Sequence, residues 1–307
     1  MNTPIAPDGA VALTHWGVIR ARGADAPKFL QGQLTNDVAG MDTAQVRLAG
    51  FCSAKGRLQA SFVVWRTAPD EVLLACSASV LPATLKRLSM FVLRAQCKLS
   101  DASAELPMHG LVGASACALM GDMQVWQRRE IAAGSLLRLP DVDGVARCML
   151  AGEVAGVSPL ALDTWRALEV RSGLPIIEAA TVEQFVPQML NYELIGGVDF
   201  QKGCYPGQEV VARSQYRGTI KRRMFLFDCE APAAAGQEVF HSGDATQPAG
   251  MVVNAAPVPE GAGGIALVEV KLAALDNGTL HLGSAAGALL ARRDLPYAVP
   301  FEAALPA

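Results

Sequence analysis

The apolar residues of this 307-residue chain come in short runs that glycine, proline, aspartate and asparagine interrupt. The longest stretch without a charged residue, Leu106 to Gly121, has 16 residues and contains Pro107 and His109. A helix that spans a membrane needs about 20 predominantly apolar residues, so we expect none. Residues Met1 to Ala12 carry Asp8 and no basic residue, unlike a secretory signal or a transit peptide. These patterns predict a cytoplasmic protein of short strands and helices with no membrane partner.

The first two thirds of the sequence mix strand and helix signals. Apolar runs at residues 45–52 and 58–66 flank a turn-like segment and predict a β-hairpin. Helices are predicted over residues 81–95 and from Ser158 to the capping Gly173. A further helix is predicted to begin at Thr181, because Gln184 stands where a capping box requires it.

In the last third of the sequence, the apolar runs have a different spacing. After Lys221, short apolar runs recur about every ten residues between turn residues, a spacing typical of a small β-barrel or sandwich. We therefore predict an α+β region over residues 1–228 and an all-β domain over residues 229–307. Hydrophobic residues make up 51% of the chain and charged residues 18%, which is enough apolar material for a core without disulfide or metal support.

The cysteines and histidines lack the spacing of a metal site. A zinc or iron-sulfur site needs two ligands within about five residues, whereas no two of the seven cysteines lie within 19 residues of each other. The four histidines are equally scattered. We therefore predict free thiols and no preformed metal site. The cysteines are Cys52, Cys76, Cys97, Cys117, Cys148, Cys204 and Cys229.

One cysteine has a distinctive setting. Cys204 stands in the segment KGCYPGQE, residues 202–209, between a glycine and a Pro-Gly turn that leads into a short helical run. Lys202 lies two residues before it. A thiol near a lysine and a helix N-terminus has the surroundings that lower a thiol pKa. The residues alone leave two interpretations open, a reactive thiol and one more packed cysteine.

Positive charge is concentrated just after this segment. Residues 213–223 contain five basic residues and no acidic one, although the chain as a whole has a net charge of −3. Such a segment could hold an anion, either a carboxylate tail, a phosphate or an RNA backbone. It could equally be an edge strand protected from aggregation by charge. The basic residues are Arg213, Arg217, Lys221, Arg222 and Arg223.

Two of the four tryptophans, Trp16 and Trp165, fall on elements that we expect to be half-buried. Indole rings commonly hold flat heteroaromatic ligands. They are also common core residues, so both interpretations stay open for each ring.

Several segments together resemble the YgfZ family, which comprises folate-binding relatives of the glycine cleavage T protein. The residues 202–209 match the family signature K-G-C-Y-x-G-Q-E. The likeness extends from Leu13 to about Met224. It includes FLQGQLTNDV at 29–38, SAKGR at 53–57, residues 165–175, QFVPQ at 184–188, Arg217-Gly218 and KRR at 221–223.

The resemblance implies an α+β fold of two interleaved T-protein-like subdomains and a C-terminal β-barrel, arranged around a central opening that binds tetrahydrofolate. It implies that Trp16 and Trp165 contact the folate, which we expect to stack between them. Glu169 matches a carboxylate that binds the pterin edge, and Cys204, with Lys202 beside it, matches the functional cysteine. The resemblance further assigns Tyr205, Gln208 and Arg213 to folate binding.

The resemblance also implies a cellular role, the assembly or maintenance of iron-sulfur proteins, including tRNA-modifying enzymes. Those proteins would be the partners, and tRNA would be contacted only indirectly or weakly. The T proteins carry two aspartates where this chain has Gln59 and Ala60, and neither side chain transfers protons at neutral pH. We therefore expect a folate-binding accessory protein with a functional thiol. The alternative is a folate-dependent aminomethyl or one-carbon transferase that uses another acid.

Overall fold

The computed structural model describes residues 6–216, 220–258, 261 and 263–300. Within these residues the strands form two five-stranded sheets and a closed barrel. The strands are β1 (Gly9–Ala12), β2 (Trp16–Arg22), β3 (Val46–Cys52), β4 (Leu58–Ala68), β5 (Glu71–Ser77), β6 (Lys98–Asp101), β7 (Met108–Val112), β8 (Arg128–Ile131), β9 (Gly134–Arg138), β10 (Arg147–Gly152), β11 (Arg222–Cys229), β12 (Glu238–His241), β13 (Gly250–Pro257), β14 (Gly264–Lys271), β15 (Leu280–Leu282) and β16 (Leu289–Arg293). The helices are α1 (Ala26–Gln31), α2 (Leu81–Ser89), α3 (Gly113–Met120), α4 (Leu162–Arg171) and α5 (Gln208–Tyr216).

The two sheets are interleaved along the chain. The first has the order β3-β4-β5-β2-β6 and the second the order β1-β7-β10-β9-β8. The chain therefore starts in the second sheet with β1, builds the whole first sheet, and returns to complete the second. This arrangement confirms the predicted interleaved α+β subdomains.

The main core lies between the two sheets. Strand β4 shows why, because its alternate residues face opposite sides of the sheet. Val63 and Trp65 pack in the core shared with the second sheet, whereas Phe62 and Val64 pack in a second core with α1 and α2. Burial on both faces explains the nearly continuous apolar run in this strand. The predicted hairpin is confirmed, since β3 pairs antiparallel with β4 across residues 53–57.

Helix α2 ends earlier than the predicted residue 95. Its last helical residue is Ser89, and Leu93 has φ of 43°, which is incompatible with a continuing right-handed helix. The side chain of Leu93 is 87% exposed, so the apolar period of the sequence does not continue into a buried face. Across the described residues, we find no helix that combines the length and apolarity needed to cross a membrane.

The predicted helix at Thr181 is wrong. Thr181 instead ends a 3-10 turn, Ala179–Thr181, whose capping box is formed by Glu178 and Thr181. A second 3-10 turn, Pro187–Leu190, follows. An α-helix cannot run through this segment, because Glu183 has φ of 60° and a residue that precedes a proline avoids helical backbone angles.

The C-terminal strands close into the barrel β11-β14-β13-β12-β15-β16, and β16 pairs back onto β11. The predicted all-β domain is therefore a barrel. Strand β11 begins at Arg222, so residue 228, where we predicted the domain boundary, lies within this strand. We propose a boundary near residue 221. Helix α4 packs against β13 and β14 and so joins the barrel to the two sheets.

Candidate functional site

Two motifs that are distant in sequence meet at a glycine-glycine contact. Gly207, in the segment 202–209, has φ of 79°, and a Cβ there would lie 2.3 Å from the carbonyl oxygen of Ser53 and 2.7 Å from the backbone of Gly56. Gly56, in the hairpin turn, has φ of 69° and would place a Cβ 2.8 Å from Val210. Only glycine allows this approach of the two backbones. The turn after Cys204 therefore rests directly on the β3-β4 hairpin.

Lys202 anchors the same segment to helix α1. Its Nζ donates hydrogen bonds to the carbonyl oxygens of Gln31 and Leu34, the latter at 2.6 Å, and lies 5.0 Å from the centroid of the Tyr205 ring. Burial lowers the Lys202 pKa to about 8. The amino group thus serves to hold the segment in place.

The segment FLQGQLTNDV fixes the loop that leads into this site. Thr35 donates through Oγ1 to the carbonyl of Gly197 at 2.6 Å and accepts from the Gly50 amide at 2.7 Å. Asn36 donates through Nδ2 to the carbonyl of Gly196 at 2.6 Å. Both side chains are buried. Three of the motifs recognised in the sequence therefore build one structural unit around residues 196–210.

Cys204 is exposed at the centre of this unit. Helix α5 begins at Gln208, four positions further along, after the turn at Gly207. Among the other cysteines, Cys117 is also exposed. Four are buried, and burial raises their thiol pKa to about 12, which makes them poor nucleophiles at neutral pH. These four are Cys52, Cys76, Cys148 and Cys229.

Two adjoining cavities lie where the sheets, α4 and the barrel meet, and we call them together the central opening. We call the smaller one, with a volume of about 30 Å³, the inner cavity and the larger one, of about 220 Å³, the outer cavity. Glu169, Leu174 and Ile176 line both. The inner space accommodates one or two water-sized groups, and the outer one is large enough for a flat bicyclic ring.

Glu169 is the acidic residue at this junction. Helix α4 presents it from its last turn, and it is only 9% exposed. The indole Nε1 of Trp16 donates to Glu169 Oε1 at 2.8 Å, and Nε2 of His15 lies 2.8 Å from Glu169 Oε2. Each carboxylate oxygen has a further lone pair, so Glu169 keeps the capacity to accept hydrogen bonds from a ligand.

The two tryptophans occupy different environments. Trp16 is half-buried and lines the inner cavity. Trp165 is fully buried, with its ring against Gly110 and the guanidinium of Arg147 5.8 Å from its centroid. Trp165 lies outside the lining of both cavities, whereas Arg147 lines the inner one.

The three remaining predicted folate contacts lie outside the lining of both cavities. Tyr205 is buried beside Lys202, and burial raises its pKa. Gln208 is half-buried at the start of α5, and Arg213 is exposed further along the same helix. All three belong to the Cys204 unit.

Two of the basic residues in the segment 213–223 are paired with acidic side chains, whereas Arg213 and Lys221 are exposed. Arg222 forms two hydrogen bonds with the carboxylate of Glu269, and Arg223 pairs with Glu193 in a site where both side chains are about 5% exposed or less. Strand β11 pairs with β14 along its whole length and with β16 only from Leu226 onward, so Arg222 and Arg223 lie in the part that pairs on one side. The predicted Arg217-Gly218 pair lies outside the described residues.

Arg166 is a cation that lines the outer cavity. Sequence reasoning missed it, although one signal was available. Arg166 and Glu169 are three positions apart on α4 and therefore share a helix face.

The positions of the T-protein aspartates are filled by side chains unsuited to acid-base chemistry. Gln59 donates to Glu183 Oε1 at 2.8 Å. Ala60 is fully buried in the core behind the first sheet. Ser61, the next residue, lines the inner cavity and accepts the Ile177 amide at 2.8 Å. Within the described part of the chain, no three His, Cys, Asp or Glu side chains form a group that could hold a metal ion.

Sequence comparison decides the family. Residues 9–152 match the GCVT N-terminal domain family. The tRNA-modifying protein YgfZ of Colwellia psychrerythraea is 32% identical over 238 residues, which cover 72% of this chain and 71% of that protein. The chain belongs to the YgfZ family. The tRNA-modifying protein YgfZ of Sodalis glossinidius is 28% identical over 310 residues, covering 94% of this YgfZ family member and 93% of the relative.

Structural comparison confirms the fold expected of a YgfZ family member. The aminomethyltransferase T of the glycine cleavage system from Bartonella henselae superposes with a TM-score of 0.72. The match covers 94% of this chain and 86% of that protein at 16% sequence identity. The two proteins share a fold.

Proposed function

We propose that this YgfZ family member binds tetrahydrofolate in the central opening. The observation that carries the proposal is the buried carboxylate of Glu169, placed where the inner and outer cavities meet. The 2-amino group and the N3–H of a pterin ring are two adjacent donors, and a carboxylate can accept both in a bidentate manner. The outer cavity, about 220 Å³, has room for such a ring. Trp16, which lines the inner cavity, and His15, which lines the outer one, contact the Glu169 oxygens and orient the carboxylate.

The proposed site also supplies a partner for the negatively charged tail of a folate. Arg166 lines the outer cavity, on the same helix as Glu169. Its guanidinium suits the glutamyl carboxylate. This assignment replaces Arg222 and Arg223, whose charges are already paired with acidic side chains.

Calorimetric titration with tetrahydrofolate tests the proposal. We expect Glu169→Gln to weaken binding about tenfold to a hundredfold, because a hydrogen bond to a charged group contributes about 1.5–3 kcal/mol. Glu153→Gln, a substitution at an exposed acid outside both cavities, is the matched control and should bind like the wild type. Equal binding by Glu169→Gln and the wild type would refute the assignment of Glu169.

We further propose that the protein is an accessory factor for iron-sulfur proteins, including tRNA-modifying enzymes, and that the thiol of Cys204 is its functional group. Three features support this proposal. Cys204 is exposed, its loop is fixed by Lys202 and Gly207, and the relatives from Colwellia and Sodalis are named tRNA-modifying proteins. The tRNA would be reached through the client enzymes, since Arg222 and Arg223 have no free charge to offer a phosphate backbone.

Complementation of a strain that lacks its own YgfZ protein tests the thiol. Cys204→Ala should keep the fold and tetrahydrofolate binding but fail to restore iron-sulfur enzyme activity. Cys117→Ala alters the other exposed cysteine and should restore it fully. Full restoration by Cys204→Ala would exclude the thiol role.

The transferase alternative finds less support. Among the residues that line the inner cavity, Glu169 is the acidic one, and its two oxygens already contact Trp16 and His15. The buried Ala60 removes the position at which a T protein carries an acid. Turnover of an aminomethyl-lipoyl carrier with tetrahydrofolate by the purified protein would revive the alternative.

A further inference from the structure

Arg147 is a buried cation whose hydrogen bonds within the protein are incomplete. It begins strand β10 and is 1% exposed. Its Nε donates to the carbonyl oxygen of Pro140 at 3.0 Å, but its Nη2 is buried without an acceptor from the protein. Burial lowers its pKa to about 10, so the guanidinium is still protonated at neutral pH.

The guanidinium faces the inner cavity of the central opening. Of the described residues that line this cavity, Arg147 and Glu169 are the charged ones. No ion pair joins these two side chains in the described part of the chain. The cavity therefore presents an acceptor on one part of its wall and an unused donor on another. Most of the remaining lining is apolar, and it includes Met149, two residues after Arg147 in β10, and Leu139, whose amide donates to the Arg147 carbonyl just after the end of β9.

The stability of the fold does not explain why the Arg147 guanidinium is buried with an unpaired donor. A buried donor without an acceptor is costly, and a buried charge without a counter-ion is more so. The ring of Trp165, 5.8 Å from the guanidinium carbon, offers a cation-π contact, which does not use the N–H groups at Nη2. A ligand atom that accepts a hydrogen bond from Nη2 would give this donor a partner.

The size of the inner cavity indicates what kind of group enters it. A volume of about 30 Å³ admits a single exocyclic atom or a water-sized group, whereas a ring requires the outer cavity. In a 2-amino-4-oxopteridine, the oxo oxygen lies directly beside the two N–H donors, which are N3–H and the 2-amino group. When those donors face Glu169, the oxo group is the neighbouring acceptor.

We propose that Arg147 donates a hydrogen bond to the 4-oxo group of the bound ring and thereby selects 4-oxopteridines over 2,4-diaminopteridines. A 4-amino group carries only N–H donors toward the guanidinium and leaves Arg147 without an acceptor. This inference rests on the proposed tetrahydrofolate site and adds the determinant of its ring specificity.

The test compares folic acid with its 4-amino analogue aminopterin, which also lacks the N3–H of folic acid, and uses tetrahydrofolate as the reference. We expect the wild type to bind folic acid at least about tenfold more tightly than aminopterin, because a site built for an acceptor leaves its donor unpaired with the amino compound. Arg147→Met and Arg147→Gln should lose most of this preference. Arg171→Met, which changes an arginine at the end of α4 outside both cavities, should keep it.

The outcomes separate this inference from the proposal on which it rests. Failure of the wild type to bind both tetrahydrofolate and folic acid would overturn the folate site itself. Binding of folic acid and aminopterin with equal affinity would overturn the role of Arg147 alone. Retention of the full preference in Arg147→Met would do the same. Equal wild-type affinities overturn the role of Arg147 even where a variant does not fold. A wild-type preference supports that role only when the Arg147 variants lose it, because aminopterin also lacks the N3–H donor to Glu169.

Discussion

Replacement of Gly207 by alanine tests the contact that holds the Cys204 segment in place. Two costs add at this position. A left-handed backbone, here with φ of 79°, costs a residue with a Cβ about 1–2 kcal/mol. The new Cβ would also lie 2.3 Å from the Ser53 carbonyl oxygen and 2.7 Å from the backbone of Gly56. Overpacking of this kind costs about 1–3 kcal/mol. We expect Gly207→Ala to destabilise the protein by about 2–5 kcal/mol in total.

Two neighbouring glycines separate these costs. Gly196 has φ of 75°, but a Cβ added there would meet nothing within 4 Å, so Gly196→Ala should show the backbone cost alone. Gly203 has neither a positive φ nor a close neighbour, and Gly203→Ala should leave stability within about 1 kcal/mol of the wild type.

Thermal unfolding and amide hydrogen exchange measure the series. For Gly207→Ala we expect a melting temperature lower by on the order of 5–10 °C, a smaller decrease for Gly196→Ala, and little change for Gly203→Ala. Exchange in residues 202–209 should rise in Gly207→Ala. If Gly207→Ala melts no lower than Gly196→Ala, the two turns are not in backbone contact and this part of the account fails.

Two further predictions concern buried charges. Lys202 has its pKa lowered to about 8 by burial, so between pH 8 and about 10.5 the unfolded chain binds more protons than the folded one and stability should rise with pH. The difference in melting temperature between the wild type and Lys202→Met should therefore grow in favour of the wild type over this range, and a constant difference would argue against the burial of Nζ. Glu193→Gln should destabilise the protein by about 3–5 kcal/mol because it leaves Arg223 buried without a counter-ion. Asp228→Asn, which affects a partly exposed pair, should cost about 1 kcal/mol or less in denaturant unfolding, and equal costs for the two variants would contradict the buried pair.

Local patterns in the sequence predicted the elements whose signals lie within a few residues. The β3-β4 hairpin and the end of α4 before Gly173 follow from turn and capping residues. The capping pattern at Thr181 predicted a helix that does not form, because the positive φ of Glu183 and the proline at 187 prevent a continuous α-helix. The recurrence of short apolar runs between turn residues after Lys221 predicted the all-β character of the C-terminal third, which folds as a barrel.

Long-range pairing accounts for what sequence reasoning missed at the candidate site. Arg222 and Arg223 formed an apparent cationic run because their partners, Glu269 and Glu193, lie far away in the chain. Arg147 stands at the start of an ordinary apolar strand, and only its burial without an acceptor sets it apart. The residues of segment 202–209 identified it as a motif. Its backbone contact with Gly56 could not be predicted, because the two segments meet only in the folded protein.

The most direct test of the central claim is a crystal structure of the protein grown with saturating tetrahydrofolate. We expect a pteridine ring in the central opening, with its amino edge on Glu169 and its glutamyl tail toward Arg166. A ring bound outside the central opening would contradict this assignment. So would a central opening that stays free of folate when the ligand is present well above its dissociation constant.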